Sequence, residues 1–313
     1  VKKFISQTGA FVGLFVGVVL LPCLFLASFD QLDKASSDNS NIISLQHKSR
    51  FDSLDILWVG NSYCYSGIRP VMLDSLGIAS YNLGIATAGP GFYDLVITDY
   101  LKHVSKAPTY VFMLLSPMTF SKKADNFESY PIHRYLEAPQ SHWQISMDEG
   151  SFSQLVPLYK KSLEKGGRNL LAGAHASHSP KLEKKGFVGS DEVFSQQILR
   201  KTEHHYLSFQ QEKWVDDRLK KLQEVVKKVE ARGIKLVFFE LPTHLLRDYF
   251  SQEYLAAYEA AVRELSAKHR YFRVPPEHFS TVHYRNIDHL NTAGATLATR
   301  EVMRFIKREK LLD

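Results

Sequence analysis

Cysteine is scarce in this chain: its 313 residues include two, Cys23 and Cys64, and neither stands at the spacing of a zinc or redox motif. Cys23 falls inside the apolar run described below, and if that run lies in a bilayer the two thiols cannot pair. The fold is therefore expected to do without disulfides, which is compatible with an envelope location without requiring one. Metal ligands are missing as well: His175 with His178, and His204 with His205, come near ligand spacing but have no acidic or thiol partners close in sequence. The glycine-rich turn TAGPG at residues 87–91 is not followed by Lys-Ser/Thr, which argues against a phosphate loop and a bound nucleotide. No cofactor is expected.

A concentrated basic face is also lacking. Lysine and arginine total 39 against 33 aspartates and glutamates, a formal charge of +6 spread along the chain. The densest basic stretch, residues 218–232, is interleaved with Glu224 and Glu230 and preceded by Asp216 and Asp217, which reads as a solvated helix face. No nucleic-acid partner is expected, whereas an anionic envelope surface is compatible with the charge. Internal repeats are absent. What the chain does have is apolar content of 44% with 12% aromatics, enough to bury one core outside any terminal segment.

One long apolar run stands out. Residues 9–29, GAFVGLFVGVVLLPCLFLASF, carry no charge over twenty-one positions, enough at about 1.5 Å per residue to cross a hydrocarbon layer of roughly 30 Å. Lys2 and Lys3 precede the run and Asp30 follows it, so the amino terminus is expected to stay cytoplasmic and the remainder to be exported. A cleaved signal peptide fits less well, because Ala27-Ser28-Phe29 is a poor small-x-small site. A lipoprotein signal would need a small residue before its cysteine, where Pro22 stands. Residues 1–30 thus read as a membrane anchor, 31–52 as a polar tether, and 53–313 as the exported domain.

Within that domain, LDILWVG (residues 54–60), SYNLGIA (80–86), TYVFMLL (109–115) and KLVFFELP (235–242) read as buried strands, with a shorter one in YFRVP (271–275). Helices are predicted over 69–76, 92–104, 212–232, 253–269 and 293–308. This alternation predicts an α/β fold, a three-layer, flavodoxin-like arrangement with a mainly parallel sheet and helices on both faces. Residues 120–210, rich in His, Ser, Tyr and Lys, break the rhythm. They read as a lid-like insertion, with helical stretches near 151–165 and 191–201. Ligands of such sheets bind beyond the carboxyl ends of the strands, which selects the loops at 60–65, 87–91, 116–119 and 241–244.

Two of the residues at this edge have chemistry in common. Ser62, in Gly60-Asn61-Ser62, follows the first strand at a sharp turn with backbone N–H groups beside it, although the same tripeptide also suits an ordinary turn and helix cap. His289 sits in YRNIDHLNTAGA (residues 284–295) just before the last helix, with Asn286 and Asp288 nearby. A histidine oriented by an acid or amide can take a proton from a serine and pass it to a leaving group. Cys64 reads as helix packing, and Tyr63 and Tyr65 as core aromatics or the lining of a sugar or acyl site.

Together, ILWVGNSYCYSGIRP, SYNLGIATAGPG and DHLNTAGA resemble the SGNH (GDSL-like) hydrolase superfamily, and within it the membrane-anchored branch of bacterial envelopes that acts in polysaccharide O-acetylation and teichoic-acid D-alanylation. The resemblance spans residues 54–116 and 235–308 and leaves the insertion unmatched. It implies Ser62 as nucleophile and His289 as general base. The residue three before the histidine, aspartate in the family pattern, is Asn286 here, so either Asn286 or Asp288 would orient the ring. The oxyanion donors implied are the Ser62 N–H and a second-block N–H falling on Thr87, with Gly84 and Gly89 close by. The third-block asparagine is replaced, leaving Ser116 as a weaker donor. The function implied is an esterase or O-acyltransferase on an envelope glycan or related acylated polymer, with a membrane acyl-transfer partner as a companion. The competing class is a scaffold that keeps the fold and binds glycan or a membrane partner without catalysis.

Overall fold

The computed structural model describes residues 53–125, 181–182 and 184–312, all within one compact unit. The apolar run at 9–29, the tether at 31–52, most of the insertion with its helical stretch at 151–165, and Cys23, His175 and His178 lie outside the described residues. Among the described residues, no helix is long and apolar enough to cross a membrane.

Strand β1 (Ile56–Val59) leads into helix α1 (Ser62–Gly67). Strand β2 (Ser80–Asn82), helix α2 (Pro90–His103) and strand β3 (Tyr110–Leu114) follow. The two-residue strands β4 (Lys181–Leu182) and β5 (Val188–Gly189) pair antiparallel, and helix α3 is Gln196–Leu207. Then come α4 (Asp216–Glu230), β6 (Lys235–Glu240), α5 (Gln252–Ser266), β7 (Arg270–Arg273) and α6 (Thr292–Arg308).

Five of these strands form one sheet in the order β2-β1-β3-β6-β7, every neighbouring pair parallel. Counting only the strands of this sheet, that is the 2-1-3-4-5 order of doubly wound folds, whose crevice opens where the order reverses between the first and third strands. The α/β expectation holds.

Both faces of the sheet are covered, which is why the strands read as unbroken apolar runs rather than as alternating ones. Leu57, Val59, Val111, Met113, Leu236 and Phe238 join one core with Phe92, Val96, Val225 and Val229 from α2 and α4. Ile56, Trp58, Phe112, Leu114, Val237 and Phe239 join the other with Tyr63, Ala298, Val302 and Phe305 from α1 and α6. The basic face of α4 is largely paired: Lys221 and Lys228 reach Asp94 at 3.0 and 2.7 Å, and Arg218 reaches Asp125 at 2.6 Å.

Three local expectations need correcting. The helix predicted at 69–76 is a 3-10 helix, Pro70–Leu76, closed by Gly77 in the left-handed conformation at φ 72°; the α-helix of this region lies earlier and begins at Ser62 itself. Strand β2 stops at Asn82 because its side chain turns the chain back: Oδ1 accepts from the Gly84 N–H at 2.9 Å, and Nδ2 donates to the carbonyls of Cys64 and Ile68. Helix α3 starts at 196 rather than 191, since Ser195 caps it by accepting from the Ile198 N–H.

The described end of the insertion contributes side chains to the buried interior. Phe187, Val188, Phe194, Tyr206 and Phe209 are all buried. His204 and His205 fall on α3.

Candidate active site

The turn after β1 is tight because residue 60 has no side chain. A Cβ at Gly60 would lie 2.6 Å from the Cβ atoms of both Cys64 and Leu114. Asn61 then caps α1, its Oδ1 accepting from the Tyr63 N–H at 3.0 Å, and Ser62 becomes the first helical residue. The loop after β2 presses against this turn, where a Cβ at Gly84 would meet the Tyr65 nitrogen at 2.5 Å and the Asn61 carbonyl oxygen at 3.0 Å. Close approach of two backbones thus fixes where the serine stands.

The histidine arrives from the other end of the chain. Residues 284–290 fold back on themselves, with Tyr284 and Leu290 bridged antiparallel and the Arg285 N–H donating to the His289 carbonyl at 3.0 Å. Asn291 caps α6 by accepting from the Gly294 N–H at 3.0 Å.

Across the crevice, His289 Nε2 lies 2.8 Å from Ser62 Oγ, and His289 Nδ1 lies 2.6 Å from Asp288 Oδ1. With its Nδ1 proton held by the carboxylate, the ring presents a lone pair at Nε2 and the serine hydroxyl donates to it.

The structure separates the two candidate orienting residues. Asn286 Oδ1 accepts from the His289 and Asp288 N–H groups at 2.7 and 3.3 Å, and lies 3.2 Å from Nδ1, farther than the carboxylate. Asn286 shapes the loop, and Asp288 supplies the charge. That a residue adjacent in sequence reaches the ring follows from this loop, where the amide pins both backbone nitrogens and turns the carboxylate inward.

Asp288 is itself held from behind: Tyr206 on α3 donates to Oδ1 at 2.9 Å and Tyr63 on α1 to Oδ2 at 3.3 Å. Burial pushes its carboxyl up, but the His289 ring, the hydrogen bonds from His289 and Tyr206, and the Arg285 charge outweigh burial and hold it below the usual carboxylate range. For His289, burial and the Arg285 charge push the imidazole down while Asp288 pulls it up, and the ring titrates below the ordinary histidine value. Burial, then the Asp288 charge, raises both tyrosine phenols, so both remain donors. The Tyr63 ring also stands edge-on to the imidazole, with centroids 5.0 Å apart.

Of the oxyanion donors considered, three are already engaged and need correcting. The Gly84 N–H donates to Asn82, and the Gly89 N–H donates to Asp125 Oδ1 at 2.8 Å as part of a carboxylate cap that also takes the Gly91 and Phe92 N–H groups. Ser116 is buried and accepts from Asn61 Nδ2 at 3.0 Å, with Thr119 Oγ1 3.2 Å away. It positions Asn61 instead of facing a ligand.

Of the donors considered, the Ser62 and Thr87 N–H groups are left uncommitted among the described residues, and both residues line the crevice. Thr87 has φ of 55°, a left-handed conformation that costs a β-branched residue about 1–2 kcal/mol. Its Oγ1 is buried without a hydrogen-bond partner among the described residues. Asn61 lines the crevice too, with its second amide hydrogen uncommitted among the described residues. The sequence shows Asn61 only as the turn residue of Gly60-Asn61-Ser62, marks no role for Arg285 within residues 284–295, and gives no sign of Tyr206, which lies in the unmatched insertion.

The crevice measures about 260 Å³, and its walls include Ala86, Ala88, Met118 and Phe209 alongside the polar group. Cys64 lies behind it, buried, with its thiol pushed up by burial and 3.4 Å from Asn82 Oδ1, a packing residue. No group of three or more metal-ligating side chains occurs among the described residues.

No family model and no curated protein matches the chain. Among solved structures it is similar to a GDSL-like lipase from Bacteroides thetaiotaomicron, at 8% identity and a TM-score of 0.40 over 91% of this chain and 99% of that one. It is also similar to a candidate acylhydrolase from Bacteroides fragilis, at 10% identity and a TM-score of 0.41 over 84% of this chain and 89% of that one. A family 3 carbohydrate esterase from Clostridium thermocellum superposes at 12% identity and a TM-score of 0.35, over 83% of this chain and 97% of that one.

Proposed function

We propose that the chain is a serine esterase that works through a covalent acyl-enzyme, with Ser62 as nucleophile, His289 as general base and acid, and Asp288 as the carboxylate that orients and stabilises the ring. The observation that carries this reading is the unbroken relay from Ser62 Oγ through His289 to Asp288, at 2.8 and 2.6 Å, on the wall of an open crevice.

In the first half-reaction, Ser62 Oγ bonds to the ester carbonyl carbon as its proton passes to His289 Nε2. The carbonyl oxygen, now negative, lies between the Ser62 and Thr87 N–H groups, with the Asn61 amide as third donor. The carbon–oxygen bond to the alcohol then breaks and the alcohol leaves with the proton from Nε2. Water repeats the sequence on the acyl-enzyme, releasing the acid and restoring the serine. An acceptor hydroxyl in place of water makes the same site an O-acyltransferase, and the envelope glycan or related acylated polymer of the sequence resemblance is the substrate class that fits. Export behind a membrane anchor at residues 9–29, with the crevice facing the periplasm or exterior and a membrane acyl donor as partner, belongs to the same proposal.

The test is covalent. A fluorophosphonate probe should label the wild-type chain and fail to label Ser62→Ala, and p-nitrophenyl acetate hydrolysis should be lost in the same variant. Absence of labelling in a folded wild-type chain would return it to the class of non-catalytic binding scaffolds.

A further inference from the structure

Among the described residues, two charged ones line the crevice, Asp288 and Arg285. They are not equivalent. Asp288 is buried and its oxygens are taken by His289, Tyr206 and Tyr63. Arg285, half-buried on the same wall, makes no side-chain hydrogen bond or ion pair among the described residues. The charge left for a ligand is therefore positive, in a site partly shielded from water, where a guanidinium gains most by meeting an anion with two oxygens.

Its place in the chain says which half of the substrate it meets. Arg285 and His289 share one loop, tied by the Arg285 N–H to His289 carbonyl bond of 3.0 Å. The apolar residues Ala86, Ala88 and Met118 come instead from the segments after β2 and β3. Because the imidazole hands its proton to the departing alcohol, the alcohol half lies on the His289 side and the acyl half against the apolar wall. We propose that Arg285 is a specificity residue that binds an anionic group, carboxylate or phosphate, on the alcohol half of the ester. This rests on the esterase reading for its substrate, but the anion site itself does not require turnover.

Three acetate esters of matched acyl group test it on the full chain: those of methyl glucoside, of methyl glucuronoside and of a glucose phosphate. For the wild type, kcat/KM for at least one anionic ester should exceed that for the neutral ester by about 10- to 100-fold, the range of one charge-assisted contact. The ratio should collapse toward one in Arg285→Gln, and Arg285→Lys should keep part of it. The glucuronoside and phosphate arms show which anion is preferred. Because each ratio is taken within one protein at one pH, a change in the titration of His289 cancels.

Binding separates the two readings. Ser62→Ala, titrated calorimetrically with the same esters, should bind the anionic ester about tenfold or more tightly than the neutral one, and Arg285→Gln added to it should remove the difference. Anion preference in binding with no turnover of any ester by wild type would leave the anion site standing and overturn the esterase. Equal binding of neutral and anionic esters, or a preference that survives in both Arg285 variants, would overturn the role of Arg285 whatever the turnover.

Discussion

Asp288 and His289 are neighbours in sequence, and the carboxylate of the first lies 2.6 Å from the ring nitrogen of the second, while the amide three residues before the ring, Asn286, is 3.2 Å away and occupied by backbone. The carboxylate, not the amide, is therefore placed to stabilise the imidazolium that forms when the serine gives up its proton.

Asp288→Asn should lower kcat/KM toward p-nitrophenyl acetate by about 10⁴-fold, as expected when a triad loses its charge and its tautomer control. Asn286→Ala removes a loop support and should cost on the order of tenfold. Parallel kinetics on the two variants checks this, and the reverse order would assign the acid's role to the amide.

The pH dependence follows from the direction of the His289 shift. The working form is the neutral ring, so kcat/KM rises with pH as the imidazole deprotonates. Burial and the Arg285 charge together outweigh Asp288 and lower its titration, so the midpoint of that ascending limb should fall below the ordinary histidine value of 6.5. Removing the positive charge in Arg285→Gln should move the limb to higher pH. A pH–rate profile of both proteins measures the shift.

Tyr63 and Tyr206 hold the two oxygens of Asp288 and should act by position rather than by contact with substrate. Tyr206→Phe and Tyr63→Phe should each reduce kcat about tenfold, the larger loss falling on Tyr206 with its shorter bond, and leave KM nearly constant. Steady-state kinetics that showed KM rising with kcat intact would instead place them against substrate.

Gly84→Ala should both destabilise and inactivate. The added Cβ would sit 2.5 Å from the Tyr65 nitrogen, a backbone atom inside α1, so the turn carrying Ser62 must shift. A loss of about 1–3 kcal/mol in urea denaturation, with kcat reduced more than tenfold, is expected.

The sheet was readable because its strands are short, apolar throughout and punctuated by GNS, TAGPG and Ser-Pro at their carboxyl ends, the pattern two-sided burial imposes. Ser62 and His289 were readable because their loops carry polar residues at a position the topology makes open. The oxyanion side was less so. Gly84 and Gly89 look like donors in sequence, but which N–H groups are free depends on where the Asn82 and Asp125 side chains turn, and those bonds span 2 and 36 residues. The choice between Asp288 and Asn286 stays open in the sequence for the same reason: adjacency says nothing of a side chain's direction until the loop closes.

Tyr206 belongs to the inserted stretch, and yet its hydroxyl ends on the acid of the relay. Exchanging that stretch for an unrelated one, or trimming it to a short linker, would strip a donor from the proton relay as well as a covering from the fold. Substrate range and turnover would then move together in such chimaeras, because the same stretch supplies Phe209 to the crevice wall and Tyr206 to the acid.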